Sequence, residues 1–320
     1  MKGDTQTVDN LLLRIRLGFP VRIVGKPTLR SHDARRNPPP HLSVNLIYLR
    51  DILVYLERIR VSFYRISSEL LPEPANPETM AELADCVREL DFIAELVEVQ
   101  GVRLTMHLDP FVALGSPDNE VAQRSQRIIE AQAWLLDSLH KGPDAVMVVH
   151  VGAAADDQAT LSRFAQRYEQ LSPMARARLV VEHDTQGWHL GRLLQLHQCC
   201  GIPIVFDLLH WQLANPDRLP LNMALGLALA TWPDGSRPKI HLSTARSEAH
   251  LLPSNNNHPA RILPPRYGQH ADFVAVSDMH RLLEAARGLP PFDIMLEAKA
   301  GDLALQRLRH EIDPEGQILG

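Results

Sequence analysis

Leu179-Val180-Val181-Glu182-His183-Asp184 and Pro203-Ile204-Val205-Phe206-Asp207-Leu208-Leu209-His210 share one design: a short apolar run ending in acid and imidazole. Apolar runs without polar alternation are strands buried on both faces, as in a parallel sheet covered on both sides. Working outward from this pair, similar runs recur at 12–19, 61–66, 103–108, 145–151, 179–183, 203–208, 238–243 and 292–298. Segments of helical periodicity separate them. In 46–59, Leu46, Leu49, Leu53, Leu56 and Ile59 share a face; in 80–97, Leu83, Val87, Leu90, Ile93 and Val97 do so, and 121–139 and 188–197 behave alike. Strand followed by helix, eight times over, predicts an α/β fold, a single TIM-type (β/α)8 barrel.

Three segments break the rhythm. Residues 26–41 are rich in Arg, Pro and Asn and read as a long first βα loop. Residues 71–77 form a Pro-rich loop, and 244–267 form a polar loop with Asn255, Asn256 and Asn257. Long loops after strands lie on the functional face of a barrel. The 320 residues, 45% hydrophobic, suffice for one core. One domain over 1–320 is expected, with 1–10 as a flexible polar tail. A net charge of −5 excludes a strongly basic protein that coats nucleic acid. Cys86, Cys199 and Cys200 make no disulfide framework and lack zinc-ribbon spacing, which fits a reducing cytoplasm. The polar start and the short Leu11-Leu12-Leu13 run offer neither a signal core nor a membrane span, so no membrane partner is expected. Walker A, GxGxxG and GxSxG motifs are absent.

The predicted strand ends carry the chemistry. His107, His150, Glu182, Asp207 with His210, His241 and Glu297 fall at six of them, and His270 lies on the loop after strand seven. Any one of these is more often a hydrogen-bonded core residue or a helix cap than a ligand. Together they converge, because strand C-termini meet at one mouth. Three carboxylates crowded there would repel and turn neutral unless cations intervene. Five histidines and three carboxylates exceed the needs of one ion and suit two or three. The N/O donor set without thiolate favours manganese, zinc or iron over calcium. Clustered divalent ions of this kind serve phosphodiester hydrolysis. Only five lysines occur, and two, Lys239 and Lys299, fall on strands seven and eight. Lys239 shares a strand face with His241, and an interior salt bridge is as reasonable there as a site role. Arg65, with Ser67 and Ser68, reads equally as a phosphate contact or a structural arginine.

In this order and spacing the chain resembles the UV damage endonuclease family, TIM-barrel enzymes related in fold to endonuclease IV. The matching stretches include Arg16-Leu17-Gly18, Asn45-Leu46, Tyr64-Arg65-Ile66-Ser67, Met106-His107, Ser116-Pro117-Asp118, His150 with Gly152, Glu182 with Asp184, Val205-Phe206-Asp207 with His210, Thr231-Trp232, Pro238-Lys239 with His241-Leu242-Ser243, His270 and Glu297-Ala298-Lys299. The resemblance implies a manganese-dependent endonuclease that cuts double-stranded DNA 5′ of a lesion, acting as a cytoplasmic monomer. It implies metal ligands at His107, His150, Glu182, Asp207, His210, His241, His270 and Glu297. Catalytic roles fall on Lys239, Glu182 and Glu297, with Lys239 as a carboxylated lysine. DNA contacts are expected at Tyr64, Arg65, Pro110 and Phe111, and at Arg30, Arg35 and Arg36 of the first loop. The chain departs from the family where Pro110 replaces a lesion-probing glutamine, since proline has no side-chain hydrogen bond to offer. It departs again where His183 replaces an asparagine, and where Trp211 and Phe19 replace a histidine and a tyrosine. Two alternatives stay open: a xylose-isomerase-like sugar isomerase or epimerase, and a DNA-damage-binding homologue without cleavage.

Overall fold

The computed structural model describes residues 15–32, 39–139, 142, 144–152, 158–254 and 259–314. Arg35 and Arg36 lie outside the described residues, as does the expected tail. The apolar runs form strands numbered in chain order: β1 (Leu17–Pro20), β2 (Phe63–Ser67), β3 (Arg103–His107), β4 (Met147–Val149), β5 (Leu179–Glu182), β6 (Ile204–Val205), β7 (Lys239–Leu242), β8 (His250–Leu252), β9 (Arg261–Leu263) and β10 (Asp293–Leu296). Eight of them make one parallel sheet in the order β6-β5-β4-β3-β2-β1-β10-β7. The ring closes between β6 and β7 through a single bridge, Asp207 to His241, where the His241 amide donates to Phe206 O at 2.8 Å. The TIM-type barrel expected from the sequence is therefore the fold observed. The segment 244–267 differs from expectation: it contains the antiparallel ribbon β8–β9, with Leu251 opposite Ile262. Its short apolar triplets are separated by polar residues and prolines, which hid them as strands.

Helices follow the barrel strands and cover the outside. Helix Leu42–Arg58 buries Leu42, Leu46, Leu49, Ile52, Leu53 and Leu56 on one stripe. Each such leucine contributes about 1.5–3 kcal/mol relative to exposure. Helix Val87–Gln100 stops at Gly101, whose φ of 62° is the left-handed cap a glycine accepts without strain. No helix among the described residues is long and apolar enough to cross a membrane.

Strand alternation sorts side chains into outward and interior sets. Inside, they stack in layers. The lowest layer is ionic. Asp293 Oδ2 accepts from Arg103 Nη1 at 2.8 Å and from Arg16 Nε at 3.0 Å, and its Oδ1 accepts from Arg237 Nε at 3.1 Å. Arg103 is fully buried and also donates to Asp144 O and Arg237 O. Above it lie Val146, Val148, Val180 and Val205, with Lys239 reaching Thr105 Oγ1 at 3.4 Å. The top layer follows two residues further along each strand: His107 above Thr105, His150 above Val148, Glu182 above Val180, Asp207 above Val205 and His241 above Lys239. Gly18 is required on β1, since a Cβ there would meet the Phe63 ring and carbonyl oxygen at 2.6 Å.

Candidate metal centre

Glu182, at the end of β5, is the hub of the top layer. Its Oε2 lies 3.0 Å from His107 Nε2 and 3.7 Å from His150 Nε2. Its Oε1 lies 2.9 Å from His241 Nδ1 and 3.4 Å from His210 Nδ1. Two donor groups result, each with ligand atoms mutually within 4.8 Å: His107, His150 and Glu182; and Glu182, Asp207, His241 and Glu297. Glu182 belongs to both. Glu297 brings His270 to the second group, with His270 Nδ1 3.9 Å from its Oε2. The eight ligand residues expected from the sequence thus converge on one mouth.

The histidines are oriented by the backbone. His107 Nδ1 lies 2.9 Å from Leu108 O, His150 Nδ1 3.2 Å from Glu182 O, and His210 Nδ1 2.8 Å from His183 O. A carbonyl accepts only from N–H, so each contact places a proton on Nδ1 and turns Nε2 toward the cluster; for His107 an ion would replace the contact of Nε2 with Glu182 Oε2. Asp207 caps helix Leu208–Leu213 with one oxygen, accepting from the His210 amide at 2.7 Å. Its other oxygen is buried without a hydrogen-bond partner, as are Glu182 Oε1 and both His241 nitrogens. His241 Nδ1 is close to Glu182 but not aligned for a hydrogen bond. Orphaned buried donors and acceptors are costly in a native structure. Here they are N and O atoms converging on shared points, so the residues fit divalent cations.

Electrostatics support this fit. Burial pushes Asp207 up to about 7, helped by the neighbouring Glu182 and Glu297. Burial opposes a charged His210, but Asp207 and Glu182 outweigh it and raise the ring to about 9. Burial lowers His241 to about 4. For Glu297, burial works toward a raised value, yet His241 and Arg65 hold the carboxyl below its ordinary range. Without cations the cluster shares protons; with them, the acids can all ionise.

Other expected residues fall in three places. Lys239 is fully buried beneath the cluster, where burial, then Arg65 and Arg103, hold its amine well below the usual lysine value. Arg65 points into the barrel and pairs with Glu297. Pro110 is exposed and Phe111 is 72% exposed in the segment after β3. Beside them opens a cavity of about 380 Å³ whose lining includes Glu69, Asp109, Phe111, Val112, Arg124 and Gln132. Arg30 is exposed on the first loop, its Nη1 donating to Tyr48 Oη at 3.2 Å. Tyr64 requires correction. It precedes the inward-facing Arg65, so it points out toward the helices, with 0% exposure, its hydroxyl on Val21 O at 2.9 Å and its ring edge-on to Phe19. A ring so covered has no face to offer DNA.

The family model for UV-endonuclease UvdE matches residues 40–318. The chain belongs to this family. It is 29% identical over 257 residues to the UV DNA damage endonuclease of Bacillus velezensis, covering 79% of this chain and 75% of that protein. It is similar to the crystal structure of SacUVDE, with a TM-score of 0.75 and 25% identity over 93% of this chain and 99% of that one. Endonuclease IV from Thermus thermophilus matches with a TM-score of 0.58 and 16% identity, over 93% of this chain and 99% of that one, which is a likeness of fold. Within the UvdE family frame, sequence reasoning assigned no role to His183. Its signal was a histidine wedged between two acids at a strand end.

Proposed function

We propose that this chain is a metal-dependent DNA repair endonuclease. Its reaction is hydrolysis of the phosphodiester 5′ of a lesion, such as a UV photoproduct, in double-stranded DNA, leaving a 3′-hydroxyl and a 5′-phosphate. The observation that carries the reading is Glu182, whose two oxygens face two separate donor groups at the barrel mouth in a chain of the UvdE family. His107 and His150 would hold one ion with Glu182; Asp207, His241 and Glu297 would hold another; His210 and His270 complete a set for two or three. The donor chemistry suits Mn²⁺, with Zn²⁺ or Fe²⁺ as alternatives. When bound, such ions supply Lewis acidity and lower the pKa of water.

The protein's own groups do the rest. Arg65 fixes Glu297 in its ionised form. Lys239 is fully buried, and burial, then Arg65 and Arg103, lower its amine well below the usual lysine value, which favours the unprotonated form that can react as a nucleophile. Carboxylation there, in which the nitrogen bonds to the carbon of CO₂ and releases one proton, would turn the amine into an anionic oxygen donor beneath the cluster. Phe111, exposed beside the cavity, offers a ring for stacking on unpaired bases. Pro110 leaves lesion reading to shape and stacking. A cytoplasmic monomer belongs to the same reading.

UV-irradiated supercoiled plasmid with Mn²⁺ tests it. The wild-type protein nicks irradiated plasmid, Glu297→Gln does not, and Phe111→Ala keeps its metal while losing preference for irradiated over intact DNA. No nicking of UV-damaged or abasic plasmid with Mn²⁺, Zn²⁺ or Fe²⁺ refutes the proposal. Salt-dependent binding of damaged DNA without turnover would instead identify a damage-binding homologue.

A further inference from the structure

β6 is only two residues long, the shortest strand of the barrel. Its pairing with β5 ends at Glu182 and Val205. Asp207 therefore lies past the ladder, and its amide has no strand carbonyl to bond. The His183 side chain takes that place: the Asp207 N–H donates to His183 Nε2 at 2.9 Å. Both residues are fully buried. An amide N–H donates only to an unprotonated nitrogen, so the ring proton sits on Nδ1. The same residue's carbonyl accepts from His210 Nδ1 at 2.8 Å. The ring stands edge-on to His210, with centroids 5.9 Å apart, and packs against Phe206 at 5.5 Å.

We propose that His183 is a positioning residue for the metal centre, whose imidazole replaces a missing β-ladder acceptor and thereby aims Asp207 at the ions. Asp207 is held at two points, which leave its second oxygen free to face the cluster. Its amide is on His183, and its Oδ1 caps the next helix at the His210 amide. Removing the acceptor orphans a buried N–H at the seam, which is relieved only if the peptide rotates. Rotation carries the carboxylate with it. Groups that orient a ligand in this way typically change metal affinity by about 10–100-fold. The inference rests on the metal-centre reading, but not on DNA as the substrate.

Two substitutions separate the acceptor from the bulk of the ring. His183→Gln keeps an acceptor oxygen near the Nε2 position; His183→Leu fills the space without one. Mn²⁺ affinity is measured by chelator competition, beside the apo melting temperature and bound metal per chain. The expected result is affinity weakened on the order of 10–100-fold in His183→Leu, with His183→Gln within a few-fold of wild type. Equal affinity in folded His183→Leu overturns the proposal, and so does a His183→Gln variant as weak as His183→Leu. A measurement on the unaltered protein holds even if the leucine variant does not fold. The ¹⁵N shifts of His183 should show a protonated Nδ1 and a hydrogen-bonded, unprotonated Nε2; the opposite tautomer overturns the proposal. If the wild-type chain binds no divalent ion, the metal-centre reading fails, and the tautomer still reports on His183 by itself.

Discussion

Asp293→Asn should cost the protein much of its stability while leaving the mouth intact. One carboxylate at the floor of the barrel receives Arg103 Nη1 at 2.8 Å, Arg16 Nε at 3.0 Å, Arg237 Nε at 3.1 Å and the Arg16 amide at 3.1 Å. The partners are not equal. Arg16 and Arg237 side chains are 32% and 23% exposed, so water compensates them, and each contact is worth about 0–1 kcal/mol. Arg103 is 0% exposed, and stranding its charge costs about 3–5 kcal/mol. At about 2–4 °C per kcal/mol for large domains, taken at the lower end for this longer chain, the melting temperature should fall by roughly 6–10 °C. Adding Arg103→Met removes the stranded charge and should recover part of the loss. The assay is thermal unfolding by circular dichroism, with metal content and plasmid nicking measured on folded protein at low temperature. A drop under about 2 °C would refute the claim that Arg103 depends on Asp293. Loss of metal from a folded variant would refute the independence of floor and mouth.

Two further outcomes follow from the cluster. Asp207 is raised from 3.8 to about 7 and His210 from 6.5 to about 9, so at pH 6 both hold protons in the apo protein that ions must displace, and at pH 8.5 Asp207 has already lost its own. Each raised group contributes apo stability that is full below its unfolded value and is lost as pH rises through its folded one. Mn²⁺ should therefore raise the melting temperature more at pH 8.5 than at pH 6, and equal shifts would count against these assignments. Lys239 should take up ¹³C-bicarbonate as a carbamate resonance that Lys239→Ala lacks; no resonance in the metal-loaded protein would leave it an amine.

Much of the site was legible in the sequence because barrel topology turns a one-dimensional pattern into a convergent point. Residues at strand ends must meet, so His107 and Glu297 could be joined although most of the chain separates them. What the pattern hid was depth and direction. Tyr64 and Arg65 are neighbours in a matching motif, yet alternation sends one to the helix layer and the other to Glu297. The β8–β9 ribbon was hidden because strands of three residues leave no period to read. His183 was legible as an oddity but not as a device, since its value depends on β6 stopping early, and strand length is set by the neighbouring helix cap at Asp207.

The seam between β6 and β7 has one further consequence. A closed barrel is a hoop, and a hoop opens where its links are fewest; here a single bridge, Asp207 to His241, spans the join. Those two residues, with Glu182 from the adjoining strand, belong to one donor group. An ion held there would act as a clasp across the gap, so the chemistry of the site and the strength of the hoop would be the same bond. Stripping the ions should loosen amide exchange first at the seam, at Asp207 and His241, while the arginine-laced floor stays shut. Without its ions, the chain would then have its fastening undone at the mouth where the donor groups meet.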